Sequence, residues 1–357
     1  MWAWKPNLLS IESCGAVKQL YFITFARVTE KCIAVPNKNN GEAEESKLPL
    51  GVSRNGRGMD RLNIFERIGR RIIRGFSHLP MIVLYVFSDF VYFLLYWVVG
   101  YRQKVVRKNL ITVFPNKTDK ERLQIERKFY RHLSDYFFET IKSLTISDEE
   151  LVKRLKVSNI ELINDLLEKG KSVFLYAPHF GNWEWFTVLP LLLPGKEIHC
   201  FYQKQGNRFA NYLSVESRTR RNIAAAESHH GFRYTYECIR KGIASMTLVI
   251  GDQCPHRTAQ KIWLPFCGQD TPFLAGPEHI ARKLDIALVY PSFVGYKRGY
   301  YEVDLHMIAE NPRDLPDHEC TSRFAALIED DLRRIPQLWL WSHRRWKLKH
   351  EDFPDVK

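Results

Sequence analysis

Apolar and polar positions divide the 357-residue chain into three regimes. Over residues 1–58 no apolar period is sustained. The stretch NKNNGEAEESKLPLGVSRNGRGMD (37–60) is rich in Asn, Gly, Glu and Ser, as linkers and unfolded tails are. The earlier AVKQLYFITFARV (16–28) has the length of a short helix or strand, without the layout of a cleaved signal peptide. Residues 1–58 therefore read as an extension that is disordered or not native, with Met59 as a candidate true start.

The second regime covers residues 59–115. RIGRRIIRGFSH (67–78) is basic and amphipathic and leads into LPMIVLYVFSDFVYFLLYWVVG (79–100), the strongest apolar run in the chain. At about 1.5 Å per residue this run reaches about 33 Å, enough for a hydrocarbon core of about 30 Å. Asp89 near its middle favours a buried core helix instead, because a carboxylate at mid-bilayer costs about 2.5–3.5 kcal/mol. Tyr85, Tyr92, Tyr96 and Trp97 suit an interface, and cations flank both ends, with Arg70, Arg71 and Arg74 before and Arg102, Lys104, Arg107 and Lys108 after. Together these features predict a membrane-anchoring helix. Charge on both flanks gives no orientation and leaves spanning and interfacial placement both open.

The third regime, residues 116–350, alternates helical and strand periods. Thr118 with Glu121 three residues later forms a capping-box signature, followed by Leu123, Tyr130, Leu133, Phe137 and Ile141 at helical spacing. Further helices are predicted at 158–170, 182–193, 206–221, 235–242, 276–285 and 320–336, and strands at 172–177, 198–202, 246–251, 286–295 and 300–308. Such alternation predicts an α/β fold, a sheet covered by helices. The aromatic stripe of the first helix reads as core.

Composition changes this picture in two ways. A net charge of +13 and a pI near 9.3 call for a polyanionic neighbour, either nucleic acid or an anionic membrane leaflet. Nucleic-acid binders interleave basic stripes with exposed aromatics, whereas here the aromatics fall at core spacing or in the apolar run, so the leaflet is preferred. The seven cysteines are scattered and never form CxxC, which fits reduced thiols better than disulfides or a zinc site.

The candidate chemistry lies in LYAPHFGNWEW (175–185), where His179 follows an apolar strand and Glu184 comes five positions later. Asn182 is placed to cap the helix that carries Glu184. A carboxylate reaching Nδ1–H of His179 would fix the tautomer and leave Nε2 to take a proton from an alcohol. No G-x-S-x-G and no cysteine in a protease setting accompanies it, so the nucleophile would be the substrate's own hydroxyl. On spacing alone a structural histidine is an equal reading.

HFGNWE (179–184), preceded by the apolar segment and YRQKVVRKNLITVFP (101–115), resembles the late acyltransferases of lipid A biosynthesis, the lauroyl and myristoyl transferases of the lysophospholipid-acyltransferase superfamily. The similarity continues in order through FYQKQGN (201–207), SRTRR (217–221), IRKG (239–242), GDQ (251–253), LPFCGQDTPFLAGPEHIARKLDIALVYP (264–291) and PQLWLWSHRRWK (336–347). It implies a glycerolipid acyltransferase-like α/β fold, a central mixed sheet flanked by helices, behind an N-terminal membrane helix. It also implies an acyl-acyl carrier protein donor, a hydroxyacyl chain of a lipid A precursor as acceptor, and a catalytic domain on the cytoplasmic face of a bacterial inner membrane; no cofactor is expected, and no His or Cys cluster has the spacing of a metal site.

By the same resemblance His179 is the base and Glu184 its partner, Arg218 assists the oxyanion, and Asp252 and Gln253 shape the site. Arg344 and Arg345 contact phosphates or pair with core carboxylates, two readings left open. Lys204 stands where the family commonly has Arg in Tyr-Arg-Pro, and a point-charge lysine cannot reproduce bidentate arginine geometry. Glu184 matches the lipid A branch, since glycerol-phosphate relatives usually have Asp there. The main alternative is an acyltransferase for another membrane lipid, a glycerolipid, ornithine lipid or glycolipid. A non-catalytic basic membrane protein is a further rival.

Overall fold

A computed structural model describes residues 51–54 and 61–353. The chain begins with a two-residue strand β1 (Val52–Ser53), then α1 (Ile64–Ser77), α2 (Met81–Phe93) with a π-helical continuation to Val98, α3 (Gln103–Val113), α4 (Asp119–Lys142) and α5 (Asp148–Arg154). Next come β2 (Leu155–Ser158), α6 (Glu161–Glu168) and β3 (Val173–Ala177), then a 3-10 segment (Trp183–Val188) and the single turn α7 (Leu189–Leu192). β4 (Glu197–Tyr202), α8 (Arg208–Thr219), β5 (Ala224–Glu227), α9 (Ser228–Arg240) and β6 (Ser245–Ile250) follow. A hairpin of β7 (Lys261–Phe266) and β8 (Gln269–Leu274), then α10 (Gly276–Leu284), β9 (Ala287–Lys297), β10 (Tyr300–Ala309) and α11 (Glu319–Arg334), complete the main elements.

Eight strands form one mixed sheet in the order β1-β5-β4-β6-β3-β9-β10-β2. The five from β5 to β9 run parallel, β10 returns antiparallel to β9, and β1 caps the far edge antiparallel to β5. The predicted α/β class, a mixed central sheet flanked by helices, is the class observed. Every residue of β3 is buried, as expected of a central parallel strand covered on both faces. The register pairs Ala177 at the end of β3 with Ile250 at the end of β6. Residues 179 and 252, each two positions beyond its strand, therefore emerge side by side at the carboxyl edge of the sheet, where ligands of open α/β sheets bind.

The capping box at Thr118 and Glu121 forms as predicted and starts the 24-residue α4. The predicted helix over 182–193 is a 3-10 segment joined to one α-turn. Asn182 occupies the N-cap position but makes no cap bond, because its side chain is drawn to Glu139 of α4 at 2.8 Å. The apolar run is helical over Met81–Val98 and, by length and composition alone, long enough to cross a membrane. It is preceded by α1 and packs along α4, burying Met81, Leu84, Ser88, Leu95 and Tyr96. The charge of Asp89 is met by Arg298, in the turn between β9 and β10, which also binds Asp135 of α4 at 2.6 Å. Four residues of the amino-terminal extension, 51–54, lie on the sheet edge, where Arg54 pairs with Glu197 and Val52 is buried. The segment 16–28 and the choice of Met59 as start lie outside the described residues.

Candidate active site

The loop after β3 is built to hold His179 still. Gly181 has φ +58°, and a Cβ there would fall 2.3 Å from the Phe293 ring, so only glycine fits. The Gly181 N–H donates to Leu338 O at 3.0 Å, and Leu340 N–H donates to His179 O at 3.2 Å, tying the loop to the carboxyl-terminal segment. The His179 ring is buried edge-on to Trp183, with centroids 5.0 Å apart.

The carboxylate on this imidazole is Asp252. Its Oδ1 lies 2.6 Å from His179 Nδ1 and also accepts the His179 backbone N–H at 2.9 Å. Trp339 Nε1 donates to the other oxygen, Oδ2, at 2.7 Å. Burial works to raise the Asp252 pKa, but the adjacent imidazole and the hydrogen bonds from His179 and Trp339 outweigh it and hold the group below the usual carboxylate range. An ionised Asp252 assigns the proton to Nδ1, leaving the Nε2 lone pair as the basic site. The Gln253 amide nitrogen faces that atom at 3.3 Å.

Glu184, expected as the histidine's partner, faces the other way. Its carboxylate accepts two bonds from Arg218 of α8, Nε–H at 3.0 Å and an Nη–H at 2.6 Å. The 3-10 path from Asn182 turns Glu184 towards α8 instead of back to His179, whose Nδ1 is already taken. Burial opposes the charge on Arg218, and the Glu184 carboxylate more than compensates, so its pKa is raised. The pair borders a narrow recess lined also by Trp183, Phe186, Cys200 and Leu248.

Two supporting residues escaped the sequence reading. Glu139, fully buried on α4, accepts hydrogen bonds from Asn182 Nδ2 at 2.8 Å and from the Tyr85 and Tyr301 hydroxyls, each at 2.9 Å. Burial pushes its pKa up to about 7. Trp339 sits inside the terminal PQLWLWSHRRWK motif, 87 residues from the carboxylate it binds, a separation no local spacing reveals. His343 of the same motif accepts the Cys254 N–H at 3.0 Å, and burial lowers its pKa to about 3, so it stays neutral.

The remaining expected residues scatter. Lys204 is exposed, with its nearest carboxylate, Glu227, at 3.9 Å. Arg344 is exposed. Arg345 is fully buried, and its three guanidinium nitrogens have no hydrogen-bond partner among the described residues, so it forms no carboxylate pair there. Its guanidinium lies 4.5 Å from the Phe273 centroid and 5.8 Å from that of Phe266, stacked as a cation on aromatic faces. Burial lowers its pKa to about 10. Among the described residues no group of three or more His, Cys, Asp or Glu side chains is arranged to hold a metal ion.

Comparison with known proteins adds to this geometry. The chain is similar to the lipid A biosynthesis palmitoleoyltransferase of Escherichia coli (strain K12), 22% identical over 252 residues covering 70% of this chain and 79% of that protein. It is also similar to the lipid A biosynthesis lauroyltransferase of the same organism, 22% identical over 258 residues covering 71% and 81%, and to the lipid A biosynthesis acyltransferase of Shigella flexneri, at 22% over 252 residues with 70% and 79% coverage. Residues 64–348 match the model of the family described as bacterial lipid A biosynthesis acyltransferase, a span that includes every residue of the His179 site. On that match the chain belongs to the bacterial lipid A biosynthesis acyltransferase family.

Proposed function

We propose that the protein transfers an acyl chain from an acyl-acyl carrier protein to the hydroxyl of a hydroxyacyl chain on a lipid A precursor, at the cytoplasmic face of a bacterial inner membrane. His179 Nε2 takes the proton of the acceptor hydroxyl as its oxygen attacks the thioester carbonyl. The tetrahedral oxyanion then collapses, the C–S bond breaks, and the imidazolium returns the proton to the departing sulfur. Asp252 holds the Nδ1–H tautomer and stabilises the transient imidazolium. Gln253 yields Nε2 to the incoming hydroxyl.

The observation that carries this reading is the 2.6 Å contact between Asp252 and His179 Nδ1 at the carboxyl edge of the sheet. It orients a base whose other ring nitrogen, Nε2, faces the Gln253 amide. Arg218 spends two of its five N–H donors on Glu184, and the oxyanion is assigned to those that remain. The basic balance of the chain favours a phosphorylated lipid and an acidic carrier protein.

The test is the purified full-length protein with defined acyl-acyl carrier proteins and lipid A precursors, read by mass spectrometry. The precursor should gain the mass of one acyl chain. His179→Ala should abolish the gain while leaving the unfolding midpoint unchanged. An unmodified precursor beside an acylated glycerolipid would overturn the acceptor, and activity retained in His179→Ala would overturn the base.

A further inference from the structure

Twelve of the eighteen large apolar side chains exposed among the described residues fall between Ile64 and Val99. On α1, Phe65, Ile68 and Ile72 recur at helical spacing, and Arg67, Arg71 and Arg74 stand exposed beside them. On α2 and its π continuation, Ile82, Val86, Phe90, Phe93 and Trp97 form a stripe opposite the face buried on α4. Two successive helices thus present one apolar surface edged by cations. That is the chemistry of a helix lying at the surface of an anionic bilayer.

Both ends of the apolar helix are fastened to the same domain. Before it, β1 is a strand of the central sheet, and Arg70 and Arg74 of α1 pair with Glu216 of α8. Lys142 and Thr145 bind the Ser77 carbonyl at 3.0 and 2.7 Å, immediately ahead of Met81. After it, the Gln103 side chain donates to Tyr96 O at 2.6 Å and Arg102 to Ser342 O at 2.9 Å. Cations also accompany the helix along its length, with Arg298 over the Tyr85 ring at 4.5 Å, Arg131 over Tyr92 at 5.3 Å and Arg127 over Trp97 at 5.5 Å. Tyr85 to Trp97 covers about 18 Å of helix axis. A helix perpendicular to the bilayer would carry these guanidinium groups into the hydrocarbon. Lying flat, it keeps them at headgroup level.

We infer that the segment from Ile64 to Val99 docks in the plane of one leaflet of an anionic bilayer and that its apolar helix does not cross the membrane. The apolar stripes enter the acyl region, and Arg67, Arg71, Lys104 and Lys108 meet lipid phosphates. This placement is independent of which lipid is acylated.

The test uses the full chain. A fluorescent protein fused to either terminus should fluoresce in cells, and alkaline phosphatase fused at residue 1 should be inactive. An active phosphatase there, with fluorescence at the carboxyl end, would overturn the inference by putting the two ends on opposite sides. In flotation assays the purified protein should bind phosphatidylcholine vesicles and bind vesicles containing phosphatidylglycerol more strongly, with salt removing only the difference. The double substitution Phe65→Asp with Phe90→Asp should weaken flotation by about tenfold or more with the unfolding midpoint retained. Unchanged flotation would overturn the docking face, as would a dimer in detergent-free buffer that binds neither vesicle.

Discussion

Replacing Glu139 by Gln should change the slope of stability against pH, and the two curves should cross. Glu139 is fully buried and its pKa is pushed up to about 7, against an unfolded value of about 4.5. Below the unfolded value both states hold the proton and the group contributes nothing. Between the two values the folded protein retains a proton that the unfolded chain has lost, so stability falls as pH rises, by about 1.4 kcal/mol per unit. The loss accumulates to about 3 kcal/mol and is complete above the folded value. Glutamine is neutral throughout and removes that slope. It offers one acceptor oxygen where the carboxylate served Asn182, Tyr85 and Tyr301, so reorienting those groups costs about 1 kcal/mol at every pH. The variant should therefore be less stable than the parent near pH 4.5 and more stable at pH 8, by about 2 kcal/mol. Urea unfolding at half-unit intervals measures both curves, and their difference cancels every other titrating group. Parallel curves from pH 4.5 to 8 would refute the reasoning, because they would mean that Glu139 titrates alike in both states.

Three further substitutions probe the site. Asp252→Asn keeps the shape but loses the charge that fixes the His179 tautomer, and turnover should drop by about 10²–10⁴-fold in the mass-shift assay with little change in unfolding midpoint; a drop under about tenfold would remove Asp252 as the orienting group. Glu184→Gln strands the largely buried Arg218 and should cost about 3–5 kcal/mol of stability in urea. Gly181→Ala imposes a left-handed conformation on alanine and drives its Cβ into the Phe293 ring, which should destabilise by about 2–5 kcal/mol, measured by thermal or urea unfolding.

Strand periods located β3, β4, β6, β9 and β10 well, because long apolar runs in a covered sheet leave a strong trace. Three elements left little. β5 reads AAAE, and alanine carries no strand preference of its own; its burial beside β4 makes it a strand. β2 is a four-residue edge strand, and the hairpin β7–β8 stands apart from the main sheet. His179 was legible because it follows a strand, but its partner was not. Spacing along the chain favoured the nearby Glu184, whereas Asp252 comes from 73 residues away through the parallel register of β3 and β6. Glu139 was hidden by its place on an amphipathic helix, where a glutamate usually faces solvent. Only the folded position of Asn182 shows what it accepts.

The three-part origin of the His179–Asp252–Trp339 cluster has a consequence for how the protein is made. His179 emerges from the ribosome first, Asp252 73 residues later, and Trp339, the donor to the second Asp252 oxygen, 87 residues after that. A nascent chain that stops short of residue 339 lacks the Leu338 and Leu340 bonds to the His179 loop as well as the indole on Asp252. The hydrogen-bonded arrangement of His179, Asp252 and Trp339 forms only once the chain has been made through residue 340, so a translation product cut short of it lacks the contacts proposed to orient the base.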